Sequence, residues 1–156
     1  MSDATSSGLP ALPVTFRPGR TRAVLLTMGV AIFAAVSLIG VLLTRLSPGE
    51  RLSFVVTGAL LGSVLYLLAR PRVECDETGV TVVNIVTRRR LEWPEIIQVH
   101  LRPGDPWVFL DLSDGTSLPA LGIQPGIARQ HAIADARALR ALAAARSTAG
   151  PEAPLG

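Results

Sequence analysis

Residues 23 to 44 form an uninterrupted run of 22 residues without a charged side chain. A helix rises about 1.5 Å per residue, so a helix of this length crosses a hydrocarbon core of roughly 30 Å. A cleaved secretory signal fits less well, because its apolar region is shorter and is followed by a small-residue cleavage site. We therefore predict a transmembrane helix at 23–44.

A second uncharged run spans residues 52–69, after a linker, RLSPGER, that carries a Pro-Gly turn and charges at both ends. Backbone polar groups in lipid must be satisfied within the segment, which excludes isolated strands. The two runs predict a transmembrane helical hairpin. Arginine is more frequent on its outer flanks than in its loop, and this bias places both termini in the cytoplasm. The outer arginines are Arg17, Arg20, Arg22, Arg70 and Arg72, and those of the loop are Arg45 and Arg51.

Gly58 and Gly62 lie four residues apart on one face of the second predicted helix. Small residues at this spacing let two helix backbones approach closely. The face can pack on the chain's own first helix, where Ala31 and Ala35 repeat the spacing. It can also form a homodimer or contact a partner subunit, and the sequence leaves both alternatives open.

The segments outside the hairpin differ in composition. Residues 1–22 are rich in Ser, Pro and Gly without apolar periodicity, and we predict a disordered lead there and a disordered tail at 147–156. Residues 70–146 carry ten arginines and nine acidic residues, a near balance that does not favour a nucleic-acid partner. The single cysteine, Cys75, cannot form an internal disulfide and offers no metal-ligand set.

After residue 69 the hydrophobic pattern alternates. IQVHLR (97–102) and WVFLDL (107–112) are typical of half-buried strands, and the turn signals DETG and SDGT predict hairpins. About six short strands between 72 and 121 indicate an antiparallel meander. A helix rich in Ala, Leu and Arg is predicted at 125–146, with a stripe that could cover the sheet. That stripe is formed by Ala128, Ala132, Ala136, Leu139 and Ala143.

The segments DETGVTVVN (76–84) and RRRLEWPEI (88–96), followed by the WVFLDL strand and its Asp-Gly turn, resemble a known family. They are similar to the bacterial PH-like domain of the low-molecular-weight protein antigen 6 type, found in actinobacterial membrane proteins with two helices ahead of the domain. The resemblance implies an α+β membrane protein of the bacterial plasma membrane. Its PH-like domain, at 70–146, is expected to be a small antiparallel β-barrel or sandwich closed by a C-terminal helix.

The arginine triplet at 88–90 is the first candidate site. In a strand Arg88 and Arg90 point to one side and Arg89 to the other. Arg88 and Arg90, with Arg70 and Arg72, could contact an anionic leaflet or a partner, or they could form a solvated face balanced by acidic residues. Trp107 opens a strand near a loop and is a further candidate contact, whereas Trp93 is expected to pack in the core.

Catalytic or metal chemistry has little support in the sequence. His100 and His131 are expected to be exposed, Asp105, Asp111 and Asp114 fit ordinary turns, and no nucleophile, phosphate-loop or dinucleotide motif is present. We therefore expect no cofactor and no metal. The main hypothesis is a non-enzymatic, membrane-anchored adaptor that binds a protein partner through a sheet edge or loop surface. The alternatives are an anionic-lipid-reading module and an accessory subunit of a transporter or envelope enzyme complex.

Overall fold

The computed structural model describes residues 9–126 and 129–147. They form two compact units, a helical hairpin of residues 19–70 and a mixed unit built from the segments before and after it. The elements in chain order are β1 (Val14–Phe16), α1 (Gly19–Leu42), α2 (Pro48–Leu68), β2 (Arg72–Cys75), β3 (Gly79–Val83), β4 (Arg88–Glu92), β5 (Ile96–His100), β6 (Val108–Leu112), β7 (Ser117–Ala120) and α3 (Arg129–Ser147).

Both hairpin helices are long and apolar enough to cross a membrane, and little of either is buried within the protein. Each begins about four residues before the uncharged run that predicted it. At α2 the reason is local: the Ser47 hydroxyl accepts from the Glu50 backbone N–H, and the Glu50 carboxylate accepts from the Ser47 N–H, with Pro48 in the first turn. The uncharged run shows which residues can lie in the hydrocarbon core, whereas the capping residues determine where the helix begins.

The helices meet through glycines. An added Cβ on Gly58 would lie 3.3 Å from the Phe33 carbonyl oxygen, and one on Gly62 would lie 3.3 Å from the Gly29 oxygen. The face of Gly58 and Gly62 therefore packs on α1 of the same chain. Ala31 and Ala35 are exposed, so their predicted part in this contact is wrong, because Gly29 and Phe33 occupy the facing side of α1.

The mixed unit contains two antiparallel sheets, one of four strands in the order β1-β2-β3-β4 and one of three in the order β5-β6-β7. The six strands predicted between 72 and 121 are all present. No described strand belongs to both sheets, so the sheets are not closed into a barrel, and the barrel alternative of the expected barrel or sandwich is wrong. A 3₁₀ turn at Trp93–Glu95 leads the chain from β4 to β5, and Pro94 within it has no N–H for a ladder.

The lead at 1–22 was predicted to be disordered, and for part of that segment the prediction is wrong. Val14–Phe16 forms β1 and pairs with β2, placing Phe16 opposite Val73. Phe16 is only 6% exposed and belongs to the core between the sheets. The strand was not predicted because it is only three residues long and lies in a segment rich in Ser, Pro and Gly. Residues 1–8, and 148–156 of the predicted tail, lie outside the described residues, whereas Ser147 is the last residue of α3.

The core lies between the two sheets and α3. Its largest fully buried side chains include Leu91, Ile96, Leu110, Ile123 and Leu139. The buried face of α3 consists of Ala132, Ala136, Leu139, Leu142 and Ala143, close to the predicted stripe. Ala128 lies outside the described residues. Small alanine side chains let the helix approach β5 closely, which positions the arginines of α3 beside that strand.

Candidate functional site

The turn between β2 and β3 is tied to β4 by a charged cluster. Asp76 accepts hydrogen bonds from the backbone N–H groups of Thr78 (2.9 Å) and Gly79 (3.0 Å). Both terminal nitrogens of Arg90 donate to the Asp76 carboxylate, at 2.8 and 2.9 Å, and Arg90 also donates to the hydroxyls of Thr78 and Thr81. These bonds hold the pKa of Asp76 well below its usual range. Arg90 therefore has a structural role, since it connects β4 to the turn between β2 and β3.

Trp93 completes this cluster from the core side. It is 3% exposed, as the core prediction expects, and its indole N–H donates to the Asp76 carbonyl at 3.1 Å. Gly79 is required here because an added Cβ would lie 2.1 Å from the Leu91 carbonyl oxygen. Several residues of the segments that carried the family resemblance thus form one structural contact between β2, β3 and β4.

The outward face of the four-stranded sheet holds two of the other predicted arginines, Arg72 and Arg88. Arg72 Nε donates to Glu74 at 2.6 Å, and Arg88 lies 4.0 Å from the same carboxylate. The Arg88 side chain is 70% exposed, so most of it remains accessible to a ligand or partner. Arg89 extends to the other side and pairs with Asp114 at 3.4 Å. Arg70, at the end of the helical unit, is exposed.

Three of the four outer strands, β1, β5 and β7, have a free edge that is poorly suited to pairing with a further strand. The Val99 carbonyl of β5 accepts from Arg140 (2.9 Å), and the Ile96 carbonyl accepts from the Ser147 hydroxyl (3.4 Å). In β7, the Asn84 side chain donates to the Pro119 carbonyl at 2.8 Å, and Pro119 has no N–H. Strand β1 is only three residues long and is flanked by Pro13 and Pro18.

Strand β4 is the exception. The Asn84 N–H donates to the Thr87 carbonyl at 2.8 Å, which makes this pair hydrogen-bonded. Hydrogen-bonded pairs alternate along an antiparallel ladder, so the backbone groups of Arg89 and Leu91 face β3. Those of Arg88 and Arg90 therefore face away from the sheet. Four of the five β4 residues are exposed, and among the described residues no hydrogen bond uses the outward backbone groups of Arg88 and Arg90, so this edge is open.

Asn84 is a buried polar residue that sequence reasoning included in the family motif without a role. Besides donating to Pro119, its side-chain oxygen accepts from the Leu121 N–H at 3.1 Å. One amide side chain thereby joins the β3–β4 turn to the end of β7 in the other sheet. These two hydrogen bonds explain why a polar group is tolerated at 9% exposure.

Trp107 and His100 lie on the outward side of the three-stranded sheet with Phe109. His100 stacks on Phe109 with ring centroids 5.7 Å apart, and Trp107 is tilted against the same ring at 6.4 Å. The His100 side chain is only 13% exposed, so the expectation of an exposed histidine is wrong there, because Phe109 covers it. His131 is exposed. Trp107 is half-buried and contributes to this aromatic cluster.

The predicted turn roles of two aspartates are confirmed. Asp114 accepts from the Thr116 N–H at 2.9 Å, and Asp105 accepts from the Arg102 N–H at 2.8 Å. Asp111 instead faces His100, with 3.2 Å between a carboxylate oxygen and Nδ1. Within residues 9–126 and 129–147, no group of three or more His, Cys, Asp or Glu residues is placed to hold a metal ion.

Four arginines that the sequence did not single out line one cleft in this unit. They are Arg102, Arg129, Arg137 and Arg140, contributed by α3 and by the loop between β5 and β6. No motif marks them, since Arg102 is separated from the others by two strands. The helical spacing of the other three is the one signal that could have grouped them.

Comparison with known proteins agrees with the resemblance. Residues 70–142 match the family model of the bacterial PH domain. An uncharacterized protein of Mycobacterium bovis and two of Mycobacterium tuberculosis are each 32% identical over 87 residues, which is 56% of this chain and 56% of each relative. The chain thus matches about half the length of these relatives, and no solved structure gives a significant match. Residues 70–142 are therefore similar to bacterial PH domains, and two apolar helices precede them in the chain.

Proposed function

We propose that this protein is a non-enzymatic, membrane-anchored adaptor whose PH-like domain binds an acidic, extended segment of a protein partner along β4. The observation that carries the proposal is the open edge of this strand, where the backbone groups of Arg88 and Arg90 face away from the sheet. An extended peptide can add a strand to such an edge, with main-chain hydrogen bonds supplying affinity.

The side chains of β4 favour an acidic partner. A strand added beside β4 would place its side chains next to Arg88, Arg89 and Arg90. Arg89 and Arg90 are already paired with Asp114 and Asp76, so the largely exposed Arg88 supplies the main attraction for an acidic side chain. A second copy of β4 would bring like charges together, so the same arginines oppose edge-to-edge association of this chain with itself. The charge pattern thus favours a different protein as the occupant.

The membrane assignment has support in the pairing of β1 with β2. These strands flank the hairpin in the chain and lie in one sheet, so both ends of the hairpin lie on the same side of any membrane that it crosses. Two crossings satisfy this condition. The excess of arginine on the outer flanks favours the cytoplasmic side of the plasma membrane.

An adaptor function does not require a catalytic nucleophile. Cys75 is buried in the core, and burial raises the pKa of its thiol to about 12, which leaves it protonated and unsuited to act as a nucleophile at neutral pH. The lipid-reading alternative requires free guanidinium donors on β4. Arg88 has them, whereas Arg90 already donates to Asp76.

A direct test measures the binding of a fluorescein-labelled peptide of alternating Glu and Val to the full-length protein in phosphatidylcholine nanodiscs, by fluorescence anisotropy. Arg88→Pro removes an outward N–H without removing a bond to β3, and Arg88→Gln removes the same charge but keeps that N–H. We expect Arg88→Pro to abolish binding and Arg88→Gln to weaken it.

A matched Lys-Val peptide serves as the control and is expected not to bind. Equal binding by Arg88→Pro and Arg88→Gln would show that the strand edge is not used. If the protein does not bind the acidic peptide but binds monomeric short-chain phosphatidylglycerol, and Arg88→Gln abolishes that lipid binding, the lipid-reading alternative replaces this proposal.

A further inference from the structure

A cleft of about 530 Å³ lies between α3 and the loop that joins β5 to β6. Its volume is within the usual range for pockets that hold small organic ligands. Leu101, Pro125 and Ile133 contribute apolar surface to its wall. None of its residues belongs to β4, so the cleft is separate from the strand edge discussed above.

The cleft is strongly basic. Its lining includes the four arginines Arg102, Arg129, Arg137 and Arg140, against one acidic residue, Asp105. The Asp105 carboxylate accepts the Arg102 backbone N–H at 2.8 Å and so stabilises the turn of the loop. In the part of the chain that the structure describes, no carboxylate lies within ion-pair distance of these four guanidinium groups. Uncompensated positive charge therefore collects on one concave surface.

The arrangement of these arginines follows from α3. Arg129, Arg137 and Arg140 follow the spacing of one helix face, with Ile133 between them. Arg140 is anchored, because its Nε donates to the Val99 carbonyl at 2.9 Å, and its terminal nitrogens extend beyond that bond. Like charges at this spacing destabilise a helix, and an anion bound among them would remove the repulsion. The amino-terminal end of α3 also adds positive potential at this end of the cleft.

We propose that this cleft binds a phosphorylated small molecule or headgroup. Guanidinium groups match phosphate oxygens with paired hydrogen bonds, and several converging arginines suit a group with more than one negative charge. The apolar wall around Ile133 accommodates the organic part of such a ligand. The same chemistry is offered by a soluble organic phosphate and by a phospholipid headgroup, so the experiment must separate these two sources.

The first test titrates inorganic pyrophosphate into the full-length protein in phosphatidylcholine nanodiscs, followed by isothermal titration calorimetry. We expect saturable binding that Arg137→Gln weakens roughly tenfold or more, the effect of losing one charged hydrogen-bond donor. Arg137→Lys keeps the charge but loses the planar fork, and an intermediate loss is expected. Arg17→Gln makes the same change of charge at an exposed arginine outside the cleft and outside β4, and is expected to leave pyrophosphate binding unchanged.

Competition then identifies the source of the phosphate. Displacement of pyrophosphate by monomeric short-chain phosphatidylglycerol would assign the cleft to a lipid headgroup, and displacement by a sugar phosphate alone would assign it to a soluble ligand. The proposal is overturned if the wild-type protein shows no saturable pyrophosphate binding, or if Arg137→Gln and Arg17→Gln weaken binding equally. Arg137 is exposed, and thermal unfolding of each variant verifies that the fold is kept. Peptide binding along β4 should be unaffected by Arg137→Gln, so the two proposals can fail independently.

Discussion

Phe16 of β1 lies opposite Val73 of β2, although the whole helical hairpin separates the two residues in the chain. Both side chains are buried in the core between the sheets. The hairpin is therefore inserted between two paired strands of the PH-like domain. This arrangement makes the segment ahead of the first helix part of the folded domain.

Phe16→Ala should destabilise the PH-like domain by about 3 kcal/mol, because it removes a buried aromatic side chain and leaves a cavity. Thr15→Ala, at the exposed neighbouring position, should have little effect. Denaturant unfolding of the full-length protein, followed through the fluorescence of Trp93 and Trp107, measures both. Equal stability of the two variants would mean that β1 does not contribute to the core.

The ion pair of Asp76 and Arg90 predicts a pH dependence of stability. Because the folded-state pKa of Asp76 lies below its ordinary value, the pair stabilises the fold at pH values above that ordinary value, and the contribution is lost as the pH falls through the folded-state pKa. Asp76→Asn should therefore be less stable than the wild type at neutral pH, with the difference shrinking in acid. Glu77→Gln, at the exposed adjacent residue, is the control. Thermal unfolding across pH gives the comparison, and a difference that grows in acid would contradict the assignment.

Gly79→Ala should disrupt the domain, because the added Cβ would lie 2.1 Å from the Leu91 carbonyl oxygen and would force β3 and β4 apart. A loss of at least about 2 kcal/mol is expected for such a backbone clash. Gly126→Ala is a suitable control, since an added Cβ there meets nothing within 4 Å. Circular dichroism during chemical unfolding provides the measurement, and a stable Gly79→Ala protein would show that the two strands are less closely apposed.

Cys75 should resist alkylation in the folded protein. It is 2% exposed, and burial raises the pKa of its thiol to about 12. A maleimide reagent at mildly alkaline pH is expected to modify it only after denaturation, as judged by mass spectrometry. Because burial favours the neutral thiol, the stability of the fold decreases as the pH rises from the ordinary thiol pKa of 9.0 towards 12. Rapid labelling without denaturant would contradict this burial.

Gly58→Leu should separate the hairpin helices, since the position faces the Phe33 backbone and Val36 of α1 at 3.3 to 3.4 Å. Overpacking of this kind costs about 1–3 kcal/mol. Gly49→Leu has open space around it and should be neutral. Loss of helicity during titration with sodium dodecyl sulfate measures the effect. A second copy that used Gly58 and Gly62 would have to displace α1, so an unchanged helix–helix stability together with a dissociated oligomer would favour the homodimer alternative.

The candidate sites were only partly predictable. Arg88 is exposed, and its predicted contact with a lipid or partner stays a prediction. Arg90 was grouped with it because alternation along a strand places both on one side. Alternation does not show that Asp76 lies within hydrogen-bond distance of Arg90. The arginine cleft was missed for the same reason, since Arg102 meets α3 only when β5 and α3 pack together.

The sequence by itself determined the local structure of this protein. Charge-free length specified the two apolar helices, alternation and Asp-Gly turns specified the six strands of residues 72–121, and the family-like motif specified the domain type. Tertiary structure alone decided that Phe16 joins the sheet, that the sheets remain separate, that β4 keeps an open edge and that four arginines share a cleft. The reason is physical: periodicity and turn chemistry act between near neighbours in the chain, whereas strand pairing and charge compensation depend on distances in space between residues far apart in the chain.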